Sequence, residues 1–458
     1  MSRLDSSRTR LIGWLPAALV ALAAGVAYLW KLLSWPPAAS VDAWAYAAWG
    51  QALARAEDPF FELGATTPKP LAAVLGTVVA PLPPERAFPV VVALAAAGLA
   101  AALFAAALRE GGAVAAAVAV VALAFGARLP AYVALGYADV VVAALVMVGV
   151  AFRGRWRIGA LVLAGLLRPE AWVLAAIAGF TETAGSLARR LGGALAAGAA
   201  APVLWILGDF LLTGDPLASL HWHSDRVGAY RDRDIAWPDI PGELWTRLGN
   251  AGGTVVVLGG LLGLGLYYFR NRRGAVDWLP LAVVLVWPLL IVLQVGYGTN
   301  LRARYLLPVA AVLALGCGLL VGTFLASRRS RAVWGAAAVA AGAVVFVAVS
   351  TDVPRSMQQS IARNEAIAAT RPTLESVRAC GRVGVTRASA IRGLLPQLAA
   401  SSRRSVAEFG IYRKDERFAA VLGFARRVGR VDSPLPPWPR HATPLGPLAV
   451  VPGCGALE

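Results

Sequence analysis

The chain has 458 residues, of which 58% are hydrophobic and 15% are charged, and its mean hydropathy is +0.64. The apolar residues form long runs, which excludes a single soluble core and predicts a polytopic membrane protein. The formal net charge is 43 − 26 = +17. No zinc-finger or RNP-type motif accompanies it, so we expect membrane lipids or phosphate as partners, and no nucleic acid.

The first apolar run covers 11–32 and follows Arg3, Arg8 and Arg10. It is longer than the apolar core of a secretory signal and is followed by further runs. We therefore predict a retained first span with a cytoplasmic N-terminus. Further full spans are predicted at 88–108, 113–127, 137–152, 191–212, 251–269, 278–295, 305–325 and 334–349.

The apolar stretch 158–180 is interrupted by Arg168-Pro169-Glu170. A single crossing here would place the later arginine clusters outside, against the positive-inside bias, whereas two half-helices return the chain to the cytoplasm. We therefore predict a broken helix pair and about eleven membrane segments in all. Proline cannot donate a backbone hydrogen bond, and a break at membrane depth suits a polar cavity lined by protein.

This topology predicts an all-α membrane domain over 1–350 and an extracytoplasmic α/β domain over 351–458. In the tail, helices are expected at 354–377 and 388–400, and strands at 383–386 and 448–451. Cys380 and Cys454 bracket most of the tail and are able to form a disulfide if it is extracytoplasmic. The first outer loop, 34–86, is long enough to be structured. In it Asp42 opens an amphipathic helix along the membrane surface, with Trp44, Tyr46 and Trp49 as interfacial aromatics.

Six short segments, in this order, carry a resemblance to a known family. They are Asp42, Thr67-Pro68-Lys69-Pro70-Leu71, Tyr137-Ala138-Asp139, Leu166-Leu167-Arg168-Pro169-Glu170-Ala171, Leu212-Thr213-Gly214-Asp215-Pro216-Leu217 and Arg304-Tyr305-Leu306-Leu307-Pro308. The chain resembles, over 11–325, the polyprenyl-phosphate-sugar-dependent glycosyltransferases of the GT-C fold, which include protein mannosyltransferases and aminoarabinose transferases.

The resemblance implies transfer of a sugar from a polyprenyl-phosphate carrier to an acceptor on the extracytoplasmic side, with inversion at the anomeric carbon and no required cofactor. It assigns Asp42 as general base. The alternative for Asp42 is a helix N-cap, because aspartate accepts hydrogen bonds from first-turn amides. In the family the first-loop aspartate often has an acidic neighbour, whereas here Ala43 follows Asp42. A bound metal is therefore left open.

Cations near the leaving phosphate would stabilise the transition state. Lys69, Arg302 and Arg304 are the candidates, with Tyr46 as a further substrate contact. All three cations have snorkelling to lipid headgroups as their alternative. Asp139 is a candidate to assist Asp42, or else a cap of the fourth span. Arg168 and Glu170 are expected to pair with each other as architecture.

His221 and His223 are predicted to line the substrate site. With Asp225 they present a possible divalent metal site, but a spacing of two without a cysteine is a weak ligand signal. The predicted function is that of a membrane glycosyltransferase. Two alternatives are a transporter with its site at the broken helix pair and an inactive scaffold of the same fold.

Overall fold

The computed structural model describes residues 3–56, 69–126, 128–221, 235, 237–271, 276–296, 301–325, 357–358, 360–362, 364–365 and five strands within 383–452. The chain divides into two compact units. The first comprises Met1–Ser34, Val92–Val133 and Tyr137–Asp352, and the second comprises Trp35–Val91, Ala134–Gly136 and Val353–Glu458.

The described part of the chain is mostly helical. In chain order the α-helices are α1 (Arg3–Ser34), α2 (Val41–Ala54), α3 (Pro70–Val78), α4 (Pro84–Gly126), α5 (Leu129–Ala134), α6 (Asp139–Ala151), α7 (Arg155–Gly165), α8 (Glu170–Glu182), α9 (Leu187–Thr213), α10 (Ile240–Gly252), α11 (Thr254–Asn271), α12 (Leu279–Gly296) and α13 (Leu307–Leu325). Short 3₁₀ turns, Trp237–Asp239 and Ala303–Leu306, precede α10 and α13.

Among the described residues, four helical stretches are long and apolar enough to cross a membrane: Leu15–Ser34, Pro84–Ala124, Leu187–Thr213 and Ala303–Phe324. A fifth arises if α10 and α11, which meet at a bend of 96°, form one span. The protein is therefore a multi-pass membrane protein, as predicted. The total of about eleven segments stays a prediction, and the predicted span 334–349 lies outside the described residues.

Two helix breaks fall where the sequence places them. Gly112 interrupts α4 with φ 79° and ψ −177°, between the predicted spans 88–108 and 113–127. Residues 166–169 separate α7 from α8, and Pro169 directly precedes the first residue of α8. Because proline lacks the amide that would continue the hydrogen-bond ladder of α7, the apolar stretch 158–180 becomes two helices.

In the first unit, α11 and α13 pack backbone to backbone. A Cβ atom added at Gly260 would collide with the backbone of Leu313, and one added at Gly263 would collide with the carbonyl of Gly316. Small residues at such a seam allow close van der Waals contact, which is the main attraction between helices in lipid.

In the second unit, α2 and α3 approach in the same way. A Cβ at Gly50 would collide with the backbone of Gly76, and a Cβ at Gly76 would collide with the carbonyl of Tyr46. Every residue of α2 from Ala43 to Ala52 is buried. The prediction of a surface helix with interfacial aromatics is therefore wrong. A helix that is apolar on all sides is buried by protein.

The described part of the second unit contains five strands, which form one sheet. They are β1 (Val383–Val385), β2 (Phe409–Ile411), β3 (Ala420–Phe424), β4 (Thr443–Leu445) and β5 (Leu448–Pro452), in the order β2-β1-β3-β5-β4. Strand β1 is parallel to β2 and β3, whereas β5 is antiparallel to β3 and β4. Strands β1 and β5 occupy the predicted positions. The predicted helix 388–400 and both tail cysteines lie outside the described residues, so the α/β domain and the disulfide stay predictions.

A buried ionic centre joins the ends of four helices in the first unit. Arg157 at the start of α7 is only 2% exposed. Its guanidinium pairs with Glu182 at 2.9 Å and with Asp277 before α12, and it donates to the carbonyls of Gly149 and Phe152. A buried charge persists when it is paired and hydrogen-bonded in this way.

We expect Asp277→Ala to destabilise the protein by about 3 kcal/mol, because it leaves the Arg157 charge buried with one carboxylate fewer. The measurement is the apparent melting temperature of the purified protein in detergent. Glu243→Ala is the matched control. It breaks an exposed pair with Arg247 at 3.0 Å, and exposed pairs contribute about 0–1 kcal/mol. Equal melting temperatures for the two variants would contradict this role of Asp277.

Candidate functional site

Asp42 lies in the first turn of α2 and is partly exposed. The N-cap of this helix is Ser40, whose Oγ accepts a hydrogen bond from the Ala43 amide at 3.3 Å. The capping role proposed as the alternative for Asp42 therefore belongs to Ser40.

The N-terminus of α2 is held by a short distant segment of its own unit. The Ser40 amide donates to the Leu135 carbonyl at 2.8 Å. Gly136 follows with φ +68°, and a Cβ there would lie 2.8 Å from Cβ of Ala43. Only glycine adopts this backbone conformation without strain and also leaves room for α2. The backbone around Asp42 is thus tightly defined.

Lys69 is the residue directly before α3, and Pro70 opens that helix. The Lys69 Nζ lies 6.0 Å from the ring centroid of Tyr46, at the outer limit of a cation–π contact. Tyr46 is 0% exposed, and its ring packs 4.7 Å from that of Phe88. Tyr46 and Lys69 are both predicted substrate contacts. In the structure the Tyr46 ring is buried and packs beside the Lys69 side chain.

A second group of predicted residues meets in the first unit. Arg168 donates to Asp139 Oδ1 from both Nε, at 3.0 Å, and Nη2, at 2.8 Å. Arg304 Nε lies 3.2 Å from the other oxygen, Oδ2. Asp139 is 5% exposed, and the N-cap of α6 is Ala138 rather than Asp139. Its carboxylate is therefore shared between two arginines. The alternative prediction, that Asp139 caps the helix, is wrong.

Tyrosine rings flank both guanidinium groups of this cluster. Arg168 lies 3.6 Å from the ring centroid of Tyr305, and Arg304 lies 4.0 Å from that of Tyr137. A guanidinium stacked on an aromatic face gains cation–π attraction while its edge remains available for hydrogen bonds. Tyr132 packs against Tyr137 at 6.0 Å, and burial raises the pKa of Tyr132 to about 12. Its phenol therefore stays neutral near pH 7.

Glu170 completes the cluster. Its Oε1 accepts from Arg168 at 3.3 Å, so the two residues are in contact with each other. Glu170 is 1% exposed, and within the described part of the chain its Oε2 is buried without a hydrogen-bond partner. Two carboxylates here balance two guanidiniums. Arg302, two residues before Arg304, is exposed.

His221 lies beside the turn that follows α9. Its Nδ1 is 2.7 Å from Oδ2 of Asp215, and both side chains are largely exposed. The hydrogen bond from the Leu217 amide, and then the contact with His221, lower the pKa of Asp215. Its carboxylate therefore stays ionised at neutral pH. The negative charge is lost only as the pH falls through the lowered pKa.

The possible metal site at His221, His223 and Asp225 is only partly covered by the described residues. His223 and Asp225 lie outside the described residues. Among those that are described, no group of three or more His, Cys, Asp or Glu side chains is arranged to hold a metal ion.

The structure adds residues that the sequence interpretation missed. Ser40 caps α2, Gly136 fits against it, and Tyr137 and Tyr305 stack on the paired arginines. The two tyrosines adjoin charged residues in the segments Tyr137-Ala138-Asp139 and Arg304-Tyr305, which was a usable signal. Nothing local to Gly136 distinguishes it from the other glycines of the chain.

No protein-family model matches the chain, and no curated protein sequence matches it. Solved structures do match. ArnT from Cupriavidus metallidurans bound to undecaprenyl phosphate has a TM-score of 0.51 and 15% identity, over 85% of both chains. The same protein in its apo state has a TM-score of 0.48 and 14% identity, over 87% of this chain and 85% of that one. The Archaeoglobus fulgidus oligosaccharyltransferase in complex with zinc and sulfate has a TM-score of 0.45 and 14% identity, over 85% of this chain and 61% of that one.

The likeness to ArnT bound to undecaprenyl phosphate extends over most of both chains. This chain therefore has the GT-C fold, which confirms that part of the sequence prediction. At this identity the likeness establishes the fold alone, and the roles of single residues stay predictions.

The Asp139 cluster predicts an order of stability losses. Asp139→Asn leaves two partly or fully buried guanidiniums with one carboxylate, so we expect a loss of about 3–5 kcal/mol. Arg304→Gln should cost less, because the Arg304 side chain is 20% exposed and Asp139 keeps both bonds from Arg168. The measurement is the apparent melting temperature in detergent. A larger loss for Arg304→Gln than for Asp139→Asn would contradict this account of the cluster.

Proposed function

We propose that this protein transfers a sugar from a polyprenyl-phosphate carrier to an acceptor hydroxyl at the outer face of the membrane. The observation that carries the proposal is the fold shared with ArnT, whose matched structure holds undecaprenyl phosphate, over 85% of both chains. The apolar helices supply the lipid-facing surface that a prenyl-linked substrate requires.

In the proposed reaction Asp42 acts as general base. Its carboxylate takes the proton of the acceptor hydroxyl while that oxygen attacks the anomeric carbon. The bond from the anomeric carbon to the carrier phosphate breaks, and the phosphate leaves with the bonding electrons. The assignment is supported by the position of Asp42 in the first turn of α2, where Ser40 has taken the capping role, and by its partly exposed side chain.

Lys69 is proposed to neutralise the leaving phosphate. Charge develops on the phosphate oxygens as the bond breaks, so a nearby ammonium group stabilises the transition state more than the ground state. Support comes from the fixed start of α3, where Pro70 follows Lys69, and from the buried Tyr46 ring beside the Lys69 side chain. The predicted substrate contacts of Arg302, Arg304, His221 and His223 and the assisting role of Asp139 stay predictions.

The shared fold favours an enzyme over a transporter. A transporter would have its substrate site at the break between α7 and α8. That break is occupied by the Asp139, Arg168 and Glu170 side chains, which are paired with one another. No cofactor is required in the proposed reaction, because proton transfer and phosphate departure need only the base and the cation.

Asp42→Asn should lower the rate of sugar transfer by about 10²–10⁴-fold, because an amide cannot accept the proton. Binding of undecaprenyl phosphate should be unchanged. The measurement uses the full chain in lipid nanodiscs, with a panel of undecaprenyl-phosphate-linked sugars that carry a label in the sugar. Asp239→Asn is the matched control, since Asp239 is exposed before α10. A fully active Asp42→Asn protein would remove Asp42 as the base.

Lys69→Ala should weaken binding of undecaprenyl phosphate by at least about tenfold, as expected when a charge-assisted contact is lost. The measurement is equilibrium binding of the labelled lipid to the purified protein. Lys31→Ala is the matched control, because Lys31 lies in the last turn of α1. If wild-type protein bound no undecaprenyl phosphate, the proposed donor class would be wrong. If both variants bound alike, only the role of Lys69 would be lost.

A further inference from the structure

Asn364 connects the segment after the predicted last span to the start of α2. Residues 357–358, 360–362 and 364–365 are helical, and Asn364 is 6% exposed. Its Oδ1 accepts a hydrogen bond from Trp44 Nε1 at 3.0 Å. Its Nδ2 donates to the carbonyl of Pro37 at 3.0 Å and to that of Ala39 at 3.4 Å. The Asn364 amide group thus uses both its donor and its acceptor atoms.

These partners bracket the candidate base. Pro37 and Ala39 lie on the extended segment that enters α2, and Trp44 lies one turn after the Ser40 cap. Asp42 lies between them. Trp44 is 2% exposed, so its indole N–H would be a buried, unsatisfied donor without Asn364. Buried polar groups that lose their partner cost free energy, and the surrounding backbone moves to relieve that cost.

We propose that Asn364 is a positioning residue for Asp42. This inference rests on the proposed function. Asn364 fixes the backbone on both sides of Asp42, so that the carboxylate stays at the height and angle at which it meets the acceptor hydroxyl. A displacement of about 1 Å at a reacting group can cost on the order of 10²-fold in rate. The segment after the last predicted span thereby contributes to sugar transfer through Asp42.

The first arm of the test measures backbone protection without using activity. Hydrogen exchange of peptides covering residues 36–50 is compared in wild type, Asn364→Ala, Trp44→Phe and Asn271→Ala. Asn271 is the matched control, because it is exposed and its amide donates to the local Tyr267 carbonyl. Exchange in 36–50 should be faster in Asn364→Ala, somewhat faster in Trp44→Phe and unchanged in Asn271→Ala. Unchanged exchange in Asn364→Ala overturns the inference.

The second arm measures transfer by the full chain in nanodiscs. We expect Asn364→Ala to lower kcat by about tenfold to hundredfold and to leave KM for the undecaprenyl-phosphate-linked sugar within about twofold, because donor binding does not depend on the angle of the base. Asn271→Ala should retain wild-type kcat. A wild-type kcat in Asn364→Ala, or a loss confined to KM, overturns the inference.

A double-mutant cycle separates positioning from a general structural role. In Asp42→Glu the carboxylate is already displaced by one methylene, so Asn364→Ala should cost less there than in wild type. An equal loss in both backgrounds indicates general damage and overturns the inference. If Asp42→Asn keeps full activity, the proposed base and the positioning role fall together. If Asp42→Asn is inactive and Asn364→Ala is not, only the positioning role falls.

Discussion

The fold of the first unit depends on one buried aspartate that two arginines share. Asp139 gives Oδ1 to Arg168 and Oδ2 to Arg304, so three distant points of the chain must meet within one ionic contact. A charge in a water-poor environment is tolerated only when it is neutralised in this way. The start of α6, the α7–α8 break and the 3₁₀ turn before α13 are thereby fixed relative to one another.

This constraint explains why the α7–α8 pair is built as it is. A continuous helix over 158–180 would carry Arg168 and Glu170 around its own axis, whereas the break at 166–169 lets Arg168 contact both Asp139 and Glu170. At the other end of the pair, Arg157 joins Glu182 and Asp277 in a second buried centre. Each short helix is thus tied by charge, because its length and its apolar surface alone would hold it only weakly.

Much of this arrangement follows from local sequence patterns. Hydropathy predicts the long spans, and the proline in Arg168-Pro169-Glu170 predicts the helix break. The burial of α2 cannot be predicted from the sequence, because an aromatic-rich apolar helix has the same pattern whether lipid headgroups or protein surround it. The contact between Trp44 and Asn364 spans a separation of 320 residues, and no periodicity encodes such a pairing. The sequence identifies which charged residues are candidates for ion pairs, but only the packing of the helices determines which of them pair.

The glycine seam between α11 and α13 has a mechanical consequence. Gly260 and Gly263 meet the backbone of the facing helix directly, without flexible side chains between them that could change rotamer. Sliding or turning one helix would bring the larger neighbours of these glycines against the partner's carbonyls. Sliding or rotation of α11 against α13 is therefore opposed by direct backbone contact at Gly260 and Gly263, and the two helices are expected to shift together.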